Sequence, residues 1–348
     1  MKALRVYKDS IVQVDEIEEP TLNENYVKVK VIACGVCGSD IPRVLENKAH
    51  YYPIILGHEF SGVIADIGTN VKNISIGDHV VCIPLIPCYK CEDCKAGNYS
   101  LCKKYSFIGS RISGGMSEYV VIPKENVKKI PDSMDLKNAA MIEPLTVAIH
   151  ALKQNSHKKG KKVAIFGVGT IGCFIVQIVK AIGVSQITAF VRNAKYDALL
   201  RKIGNINIIN TQSSDWLEQV NKFTNGRGFD FVYESAGSVQ AMQECFEVAS
   251  NKSHVCFIGT PKEELKFPIN IWEMINRKEF YLTGSWMSYS APFPGSEWND
   301  AVDYLKTGKV KIYPEMIHSI TRLTDAENIF EEYKKSGTVN GRKLIIME

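Results

Sequence analysis

The sequence predicts an α/β protein in two parts, a mainly β part followed by a doubly wound parallel sheet. Three observations support this prediction. Residues 1 to about 150 form short β-like segments separated by turns. From Lys161 onward, apolar strands alternate with helical segments, as in βαβ units. A glycine-rich motif stands between the first of these strands and the first of these helices.

The strands of the first part are predicted from short apolar runs bounded by turn residues. Val27 to Ile32 alternates apolar and polar residues, Ser61 to Ile67 follows, and Asp78 to Pro84 comes after a turn at Gly77. Runs of this length with a period of two are typical of half-buried strands. We therefore expect a domain that is mostly β.

A buried strand and an amphipathic helix open the second part. Val163 to Phe166 is apolar throughout, and the helix after it is predicted to end at Gly183. The apolar stripe of this helix consists of Ile171, Phe174, Ile175, Ile178, Val179 and Ile182. Further strands are expected at Gln186–Val191, Asn207–Asn210, Phe229–Glu234 and Ser253–Ile258. The alternation weakens after about residue 288.

Composition and charge argue against several classes of function. The 348 residues are 45% hydrophobic and 23% charged, which is ordinary for a globular chain of two domains. A net charge of +4 without a long basic run gives no reason to expect nucleic acid or a membrane as a partner. The N-terminus lacks the apolar core of a signal peptide, and Val163 to Val179 is better explained as strand and helix than as a membrane span. We expect a cytoplasmic protein with reduced or metal-bound cysteines.

Four cysteines follow one another in a C-x2-C-x2-C-x7-C pattern: Cys88, Cys91, Cys94 and Cys102. Tetrahedral zinc takes four thiolates at about 2.3 Å, and short gaps let one loop turn its sulfurs toward a single point. The alternative is a set of separate core cysteines or two disulfides, which the regular gaps and the expected reducing compartment disfavour. Because four thiolates close the coordination sphere, we expect a structural zinc.

The glycine-rich motif is Gly167-Val-Gly169-Thr170-Ile171-Gly172. In a dinucleotide site the first glycine permits a tight turn, the second lets the pyrophosphate approach the backbone, and the third lets helix and strand pack closely. The preceding strand and the following helix supply the context that this fingerprint requires. We expect these residues to bind NAD or NADP, and the alternative is a plain glycine-rich turn.

The end of the next strand bears on the choice between the two cofactors. An NAD site usually carries an acid there for the ribose hydroxyls, but the residues from Phe190 to Lys195 include none. Arg192 and Lys195 could instead hold a 2'-phosphate, so we expect NADP(H) preference or dual use. The alternative is that Arg192 is a surface charge and NAD binds through other contacts.

A second set of metal-ligand residue types lies upstream, in Gly35-Val-Cys37-Gly-Ser39-Asp40, Gly57-His58-Glu59 and Glu143-Pro144. One thiolate, one imidazole and one carboxylate leave a coordination position open, as a catalytic zinc requires. Taken singly, Cys37 or His58 would be interpreted as a core residue. Their combination with the four-cysteine pattern and the glycine motif favours a catalytic metal site.

These motifs resemble, in order and spacing, those of the zinc-dependent medium-chain dehydrogenase family over essentially the whole chain. The resemblance implies a GroES-like catalytic domain carrying both zincs, residues 1–154 with 289–348, and a Rossmann domain, residues 155–288. It implies that Cys37, His58 and Glu143 bind the catalytic zinc, that Glu59 is a neighbouring or alternating ligand, and that Asp40 orients His58. We expect two zinc ions per chain and a homodimer or homotetramer.

Three longer stretches resemble family members that oxidise galactitol 1-phosphate to tagatose 6-phosphate. They are residues 50–60, residues 107–111, and residues 284–290 with 294–298. The implied substrate is a small phosphorylated polyol, and the basic residues expected to bind it are Arg43, Lys48, His50 and Arg111. The alternative for each of them is ordinary surface charge. The resemblance is weakest at Val191 and Arg192, where an NAD-selecting acid is expected.

The implied reaction is hydride transfer from a secondary hydroxyl that zinc polarises. Ser39 could relay the released proton, and Glu59 or Glu143 are alternative acceptors. Members that act on simple alcohols often carry a relay histidine three positions after this serine, where this chain has Pro42. A sorbitol- or threonine-type dehydrogenase is the alternative within the family. A sensor that binds zinc and a dinucleotide without turnover is the alternative outside enzymology.

Overall fold

The computed structural model describes residues 1–155, 161–337 and 339–347, and the chain folds as two units. The first unit consists of Met1–Pro144, Tyr289–Val302 and Ile317–Glu348. The second consists of Leu145–Ser288 and Asp303–Met316. In the described ranges, no helix is both long enough and apolar enough to cross a membrane.

The strands in chain order are β1 (Lys2–Val6), β2 (Val12–Glu16), β3 (Tyr26–Val36), β4 (Ile54–Ile55), β5 (Glu59–Ile67), β6 (His79–Cys82), β7 (Leu85–Ile86), β8 (Ser106–Phe107), β9 (Tyr119–Pro123), β10 (Val127–Lys129), β11 (Lys162–Phe166), β12 (Gln186–Val191), β13 (Asn207–Asn210), β14 (Phe229–Glu234), β15 (Ala249–Phe257), β16 (Tyr281–Gly284), β17 (Ile317–Arg322) and β18 (Arg342–Ile346).

The α-helices are α1 (Asp40–Leu45), α2 (Glu92–Lys95), α3 (Leu136–Ala139), α4 (Ile142–Lys153), α5 (Thr170–Ala181), α6 (Asp197–Ile203), α7 (Trp216–Thr224), α8 (Val239–Val248), α9 (Ile269–Trp272), α10 (Met274–Lys278), α11 (Ser296–Lys306) and α12 (Glu331–Ser336). Short 3-10 helices cover Tyr99–Leu101, Lys124–Asn126, Ala194–Tyr196, Pro314–Met316 and Leu323–Asn328.

The first unit is built on β-sheets, as its alternating sequence predicts. Its largest sheet has the order β10-β6-β5-β3-β18-β17, with β9 paired to β3. Val27, Val29 and Val31 of β3 are fully buried and alternate with partly exposed lysines, so one face of this strand packs on the core. A sheet of order β2-β1-β4 and the pair β7-β8 complete the unit.

The second unit contains a six-stranded parallel sheet of order β13-β12-β11-β14-β15-β16. Because β14 lies beside β11 rather than beside β13, the winding reverses between β11 and β14, and the sheet is doubly wound. Phe166 of β11 and Phe190 of β12 stack in its core with ring centroids 4.1 Å apart. The predicted α/β fold class is confirmed.

The predicted domain boundaries at residues 154 and 288 stay a prediction, and the two units differ from them at two segments. Residues 145–154 and 303–316 belong to the second unit. For the later segment, the contact is specific: Gln177 of α5 accepts from the backbone N–H of Lys311 at 2.8 Å and donates to its carbonyl at 3.1 Å. Its amide therefore holds this return segment within the α/β unit.

Candidate active site and metal centres

Cys37, His58 and Glu59 come together because of one strand pairing. Cys37 follows β3 directly, and His58 directly precedes β5, which begins at Glu59. The strands are antiparallel with Gly35 opposite Glu59, so the end of β3 and the start of β5 meet. One ligand atom from each of the three side chains lies within 4.8 Å of the others. His58 and Glu59 are buried.

Glu143 joins this cluster electrostatically from the first turn of α4. Burial raises the pKa of its carboxyl to about 8, His58 opposes the rise, and the charges of Glu59 and Cys37 add to it. Burial also raises the pKa of the Cys37 thiol to about 11, with Glu59 contributing. Gathering a thiolate and two carboxylates in a buried place is costly unless a cation neutralises them. The donor set of Cys37, His58 and Glu59 therefore suits a divalent metal such as zinc, while Glu143, the other predicted ligand, is not among the atoms within 4.8 Å of one another.

Asp40 is placed to orient two of these ligands. Its side chain is fully buried at the start of α1, and its carboxylate accepts from the backbone N–H of Cys37 at 3.0 Å. Its Oδ1 lies 3.7 Å from Nδ1 of His58, a buried nitrogen that has no hydrogen-bond partner in the described ranges. With Nδ1 directed to the carboxylate, Nε2 is the imidazole nitrogen left for a metal.

Arg342 is a functional residue that the sequence did not predict. It begins β18, and its Nε lies 3.1 Å from Oε2 of Glu59 while its Nη1 donates to the Val36 carbonyl at 3.1 Å. The pairing of β18 with β3 brings it there. Only the presence of an arginine just before the apolar run Leu344–Met347 could have indicated a buried cation, and no local pattern identifies its partner.

Ser39 lies at the molecular surface beside the candidate metal ligand Cys37. Its hydroxyl hydrogen-bonds to the Cys37 sulfur, which lowers the pKa of that thiol against the effect of burial. The Ser39 side chain is exposed, and its backbone carbonyl accepts from Arg43. A hydroxyl that contacts a ligand on one side and water on the other is suited to pass a proton between them.

The four-cysteine pattern forms a separate cluster. Cys88, Cys91, Cys94 and Cys102 have their sulfurs within 4.8 Å of one another, and the Cys88–Cys94 and Cys91–Cys102 distances are 3.9 Å. A zinc tetrahedron with bonds of about 2.3 Å has sulfur–sulfur edges of roughly 3.8 Å. Backbone N–H groups lower the pKa of Cys88 to about 6, which favours a thiolate. All ten cysteines of the chain are free thiols, so the disulfide alternative is not supported.

The lobe that carries this cluster is tied to the returning segment of the first unit. Ser100 donates to the Tyr289 carbonyl at 3.3 Å and accepts from the Tyr289 N–H at 3.2 Å. The Tyr289 hydroxyl accepts from the backbone N–H of Leu85 at 3.2 Å. The cysteine cluster therefore lies in a segment, residues 85–102, that is hydrogen-bonded to the returning segment at Tyr289.

Three of the four predicted phosphate-binding residues form a basic group. The nearby charges of Arg111 and Arg43 add to burial in lowering the pKa of His50. Arg111 stacks on Tyr105 with its guanidinium carbon 4.4 Å from the ring centroid. Arg43 also lies 3.5 Å from the Asp40 carboxylate, and Lys48 is exposed and bonded to Glu46 at 2.6 Å.

An aromatic contact series connects this basic group to the metal ligands. Tyr105 packs edge-on against Phe107 with centroids 6.3 Å apart, and Phe107 packs edge-on against His58 at 5.5 Å. Tyr105 therefore contacts Arg111 on one side and the neighbour of His58 on the other. A series of ring contacts within the first unit therefore joins the basic group to His58.

The glycine motif has the geometry that a dinucleotide requires. Gly167 has a φ of 81°, a conformation that favours glycine. A Cβ at Gly169 would meet no atom within 4 Å, so this position leaves open space in front of the N-terminus of α5. At Gly172 a Cβ would collide with the Gly167 carbonyl. Together with Thr170 and Ile171 in the first turn of α5, these residues fit a bound pyrophosphate.

Arg192 and Lys195 follow β12 and are exposed. Arg192 interacts with Glu244 of α8. Burial raises the pKa of the Glu244 carboxyl to about 7, and the charge of Arg192 opposes part of that rise. No acidic side chain occurs between Val191 and Tyr196. The segment directly after this strand therefore carries two exposed cations and no acid.

The fold and the two metal-ligand clusters define a zinc-dependent dehydrogenase, and comparison with known proteins agrees. Residues 23–132 match the alcohol dehydrogenase GroES-like domain, and residues 170–307 match the zinc-binding dehydrogenase domain. The chain is 38% identical to galactitol 1-phosphate 5-dehydrogenase of Escherichia coli (strain K12) over 319 residues, covering 91% of this chain and 92% of that one. The chain belongs to the zinc-dependent medium-chain dehydrogenase family.

Solved structures extend this agreement to three dimensions. A crystal structure of galactitol-1-phosphate dehydrogenase from Escherichia coli is similar with a TM-score of 0.93 and 35% identity, covering 99% of this chain and 100% of that one. A zinc-binding dehydrogenase from Sinorhizobium meliloti 1021 bound to NADP has a TM-score of 0.88 and 26% identity, covering 99% and 98%. The GroES-like and Rossmann parts predicted from the motifs are thereby confirmed as the fold.

Proposed function

We propose that this enzyme oxidises a secondary hydroxyl of a phosphorylated hexitol, converting galactitol 1-phosphate to tagatose 6-phosphate with NAD or NADP as hydride acceptor. The observation that carries the proposal is the basic group of Arg43, His50 and Arg111, which the aromatic side chains of Tyr105 and Phe107 connect to His58. Arginine suits bidentate contact with phosphate. A substrate with a phosphate at one end and a reacting hydroxyl further along would use both regions.

The catalytic residues hold and orient the reacting groups. Cys37, His58 and Glu143 would bind the catalytic zinc with Glu59 as an alternating ligand, and Asp40 would fix the imidazole of His58. When bound, zinc supplies polarisation of the substrate hydroxyl and the nicotinamide supplies the hydride acceptor. The reaction converts the secondary alcohol and oxidised cofactor to a ketone, reduced cofactor and one proton.

The released proton needs a path to water, and Ser39 supplies one in this proposal. Its exposed hydroxyl contacts the Cys37 sulfur. Pro42 occupies the position at which family members acting on simple alcohols often carry a histidine, so an imidazole relay is excluded there. Glu59 and Glu143 are the alternative acceptors for the proton.

For the cofactor we propose NADP with NAD as the alternative. The exposed charges of Arg192 and Lys195 suit a 2'-phosphate, and the residues around them lack the acid that would bind the ribose hydroxyls of NAD. Initial rates at matched concentrations of the two cofactors test this choice, and a large NAD preference would contradict it.

Three further features belong to the proposal. The chain would bind a second, structural zinc at Cys88, Cys91, Cys94 and Cys102. It would form a homodimer or homotetramer, which the exposed apolar side chains of Trp272, Tyr281 and Trp286 support. It would act in the cytoplasm, where free thiols persist.

A substrate panel tests the proposal. Galactitol 1-phosphate, galactitol, sorbitol and threonine are assayed with NAD and with NADP, and zinc is counted per chain. We expect the highest kcat/KM with galactitol 1-phosphate. A preference for sorbitol or threonine would move the enzyme to another branch of the family. One zinc per chain and no turnover of any substrate would favour the zinc and dinucleotide sensor.

A further inference from the structure

Glu234 ends β14 at the point where the winding of the parallel sheet reverses. It lies opposite Phe166, the last residue of β11 and the residue before Gly167. The carboxyl ends of these two strands border the crevice in which a doubly wound sheet binds its ligand. Glu234 is fully buried, with 0% of its surface exposed. A buried carboxyl at this edge calls for an explanation in terms of its partners.

The carboxyl group of Glu234 holds the turn that follows the strand. Its Oε1 accepts from the backbone N–H groups of Ala236 and Gly237, both at 2.7 Å. Its Oε2 has no hydrogen-bond partner in the part of the chain that the structure describes. A half-satisfied buried acid is expensive, so it is a poor means of stabilising the fold. What it secures is the conformation of residues 235–237.

This turn packs directly behind the first glycine of the dinucleotide motif. Ser235 donates its hydroxyl to the Gly167 carbonyl at 2.6 Å and its backbone N–H to the Phe166 carbonyl at 2.9 Å. A Cβ on Gly167 would lie 2.5 Å from the backbone nitrogen of Ala236. The turn therefore fixes both the position and the carbonyl direction of Gly167.

A second loop at the same edge is attached to Glu234. The backbone N–H groups of Ile258 and Gly259 donate to the Glu234 carbonyl at 2.9 and 3.1 Å. A Cβ on Gly259 would lie 2.7 Å from Oε2 of Glu234 and would collide with the backbone of Gly237. Glu234 thus joins the loops after β14 and β15 to each other and, through Ser235, to the glycine motif.

We infer that Glu234 is a positioning residue for the dinucleotide, acting through the 235–237 turn on the backbone of Gly167 without touching the cofactor. The inference rests on the proposed binding of NAD or NADP at the glycine motif. A backbone held in its binding conformation before the ligand arrives spends less free energy on ordering, so loss of the anchor weakens binding. Neither the glycine pattern nor the strand pattern of the sequence indicates this role.

Direct titration of the purified zinc-loaded enzyme with NADH and with NADPH, followed by fluorescence, tests the inference. Glu234→Ala leaves the backbone N–H groups of Ala236 and Gly237 without their acceptor and frees the turn, so the Kd of the preferred dinucleotide should rise about tenfold. Glu234→Gln keeps an acceptor oxygen and should raise the Kd less. The KM for the polyol and the kcat at saturating cofactor should stay at their wild-type values in both variants.

Two further variants separate positioning from general destabilisation. Ser235→Ala removes the hydroxyl that contacts Gly167, and its effect on Kd should be non-additive with that of Glu234→Gln because both act through one turn. Ser253→Ala is the matched control. Ser253 is fully buried on β15 and donates to the Asp230 carbonyl at 3.1 Å, far along β14 from Glu234. Its loss should lower the Tm and leave the Kd unchanged.

The outcomes distinguish this inference from the proposed function. Kd changes in the Glu234 variants no larger than that of Ser253→Ala, or strictly additive effects with Ser235→Ala, would overturn the positioning role alone. Wild-type protein that binds neither NADH nor NADPH would overturn the proposed function and this inference with it. If Glu234→Ala does not fold, Glu234→Gln and its double variant with Ser235→Ala decide the matter.

Discussion

Arg342 Nε lies 3.1 Å from Glu59 Oε2, although 282 residues separate the two positions along the chain. Both side chains are buried, and the arginine also donates to the Val36 carbonyl. Since Glu59 shares a cluster with Cys37 and His58, the guanidinium fixes one oxygen of a candidate metal ligand. The pair therefore links the C-terminal strand to the geometry of the active site.

Replacing Arg342 by leucine should be strongly destabilising. Removing one partner of a buried ion pair leaves the other charge uncompensated, at a cost of about 3–5 kcal/mol. The free energy of unfolding by urea measures this cost. We also expect reduced zinc retention at the catalytic site, because the Glu59 carboxylate loses the contact that orients it.

Arg277→Leu is the control for this experiment. Arg277 is paired with Glu273 at 2.9 Å, but both side chains are largely exposed on α10 and its N-terminal flank. Exposed pairs contribute at most about 1 kcal/mol. Equal losses of unfolding free energy in the two variants would mean that the Arg342–Glu59 contact stabilises the fold no more than an exposed pair does.

Gly35→Ala should displace the Glu59 carboxylate. A Cβ at Gly35 would collide with Oε2 of Glu59, whereas a Cβ at Gly38 would meet nothing within 4 Å. We expect Gly35→Ala to lower the catalytic zinc content and kcat/KM by more than tenfold, on the order of the 10–100-fold effects of altering metal-ligand support. Gly38→Ala, three residues further along the chain, should keep the zinc content of the wild type. Metal analysis after dialysis checks both.

The fold was predictable where burial is uniform and contacts are local. The bounds predicted for β12, β13 and β14 agree with the structure to the residue, because each is a short run bounded by turn or helix residues. Strand β16 was missed, since Tyr281 and Leu282 are exposed at a sheet edge and carry no periodic signal. Predicted strand Ser253–Ile258 was too short at its start, where β15 begins at Ala249.

The same distinction applies to the site. Metal-ligand types and the glycine motif are short patterns, so the sequence indicated them directly. The partners of Glu59 and the role of Glu234 depend on strand pairing and loop packing between distant segments. Among the predicted basic residues, Lys48 looked equivalent to Arg111 in the sequence. In the structure Lys48 forms an ion pair with Glu46 and is not part of the basic group.

Cys94→Ser should remove the structural zinc without removing the catalytic one. The four sulfurs form one closed cluster, so loss of a single thiolate opens the cage and weakens the metal. Zinc per chain should fall by one equivalent. The Tm should also fall, because the segment that contains Ser100 and bonds to Tyr289 is no longer crosslinked by the metal.

The control for that variant is Cys245→Ala. Cys245 is fully buried on α8 and belongs to neither cysteine cluster, so its replacement should cost stability through packing and leave zinc content unchanged. Loss of both zincs in Cys94→Ser would show that the two clusters are not independent.

Arg111→Met should weaken the binding of phosphorylated substrate selectively. A guanidinium–phosphate contact is a charge-assisted hydrogen bond of about 1.5–3 kcal/mol, so the KM for galactitol 1-phosphate should rise by roughly tenfold or more. The KM for galactitol should not change. Lys48→Met, which removes an exposed cation bonded to Glu46, should affect neither. An equal rise in both KM values would remove Arg111 from phosphate recognition.

The stability of the protein should fall as the pH rises through about 7, because burial raises the pKa of Glu234 to about 7 from its ordinary value of 4.5. A raised carboxyl pKa means that the folded state favours the protonated form. The stabilising contribution is therefore complete below the unfolded pKa and is lost as the pH rises through the folded one, a difference of about 3 kcal/mol at most.

Glu234→Gln removes this titration while keeping the size of the side chain, so it should flatten the loss of unfolding free energy between about pH 5 and pH 8. Glu247, whose pKa is raised by burial against the opposing charge of Lys278, provides the comparison, because Glu247→Gln removes a raised carboxyl titration near the end of α8. Both variants should flatten the stability profile, whereas only Glu234→Gln should weaken dinucleotide binding. A wild-type profile that is level across this range would contradict the burial of an acid at Glu234.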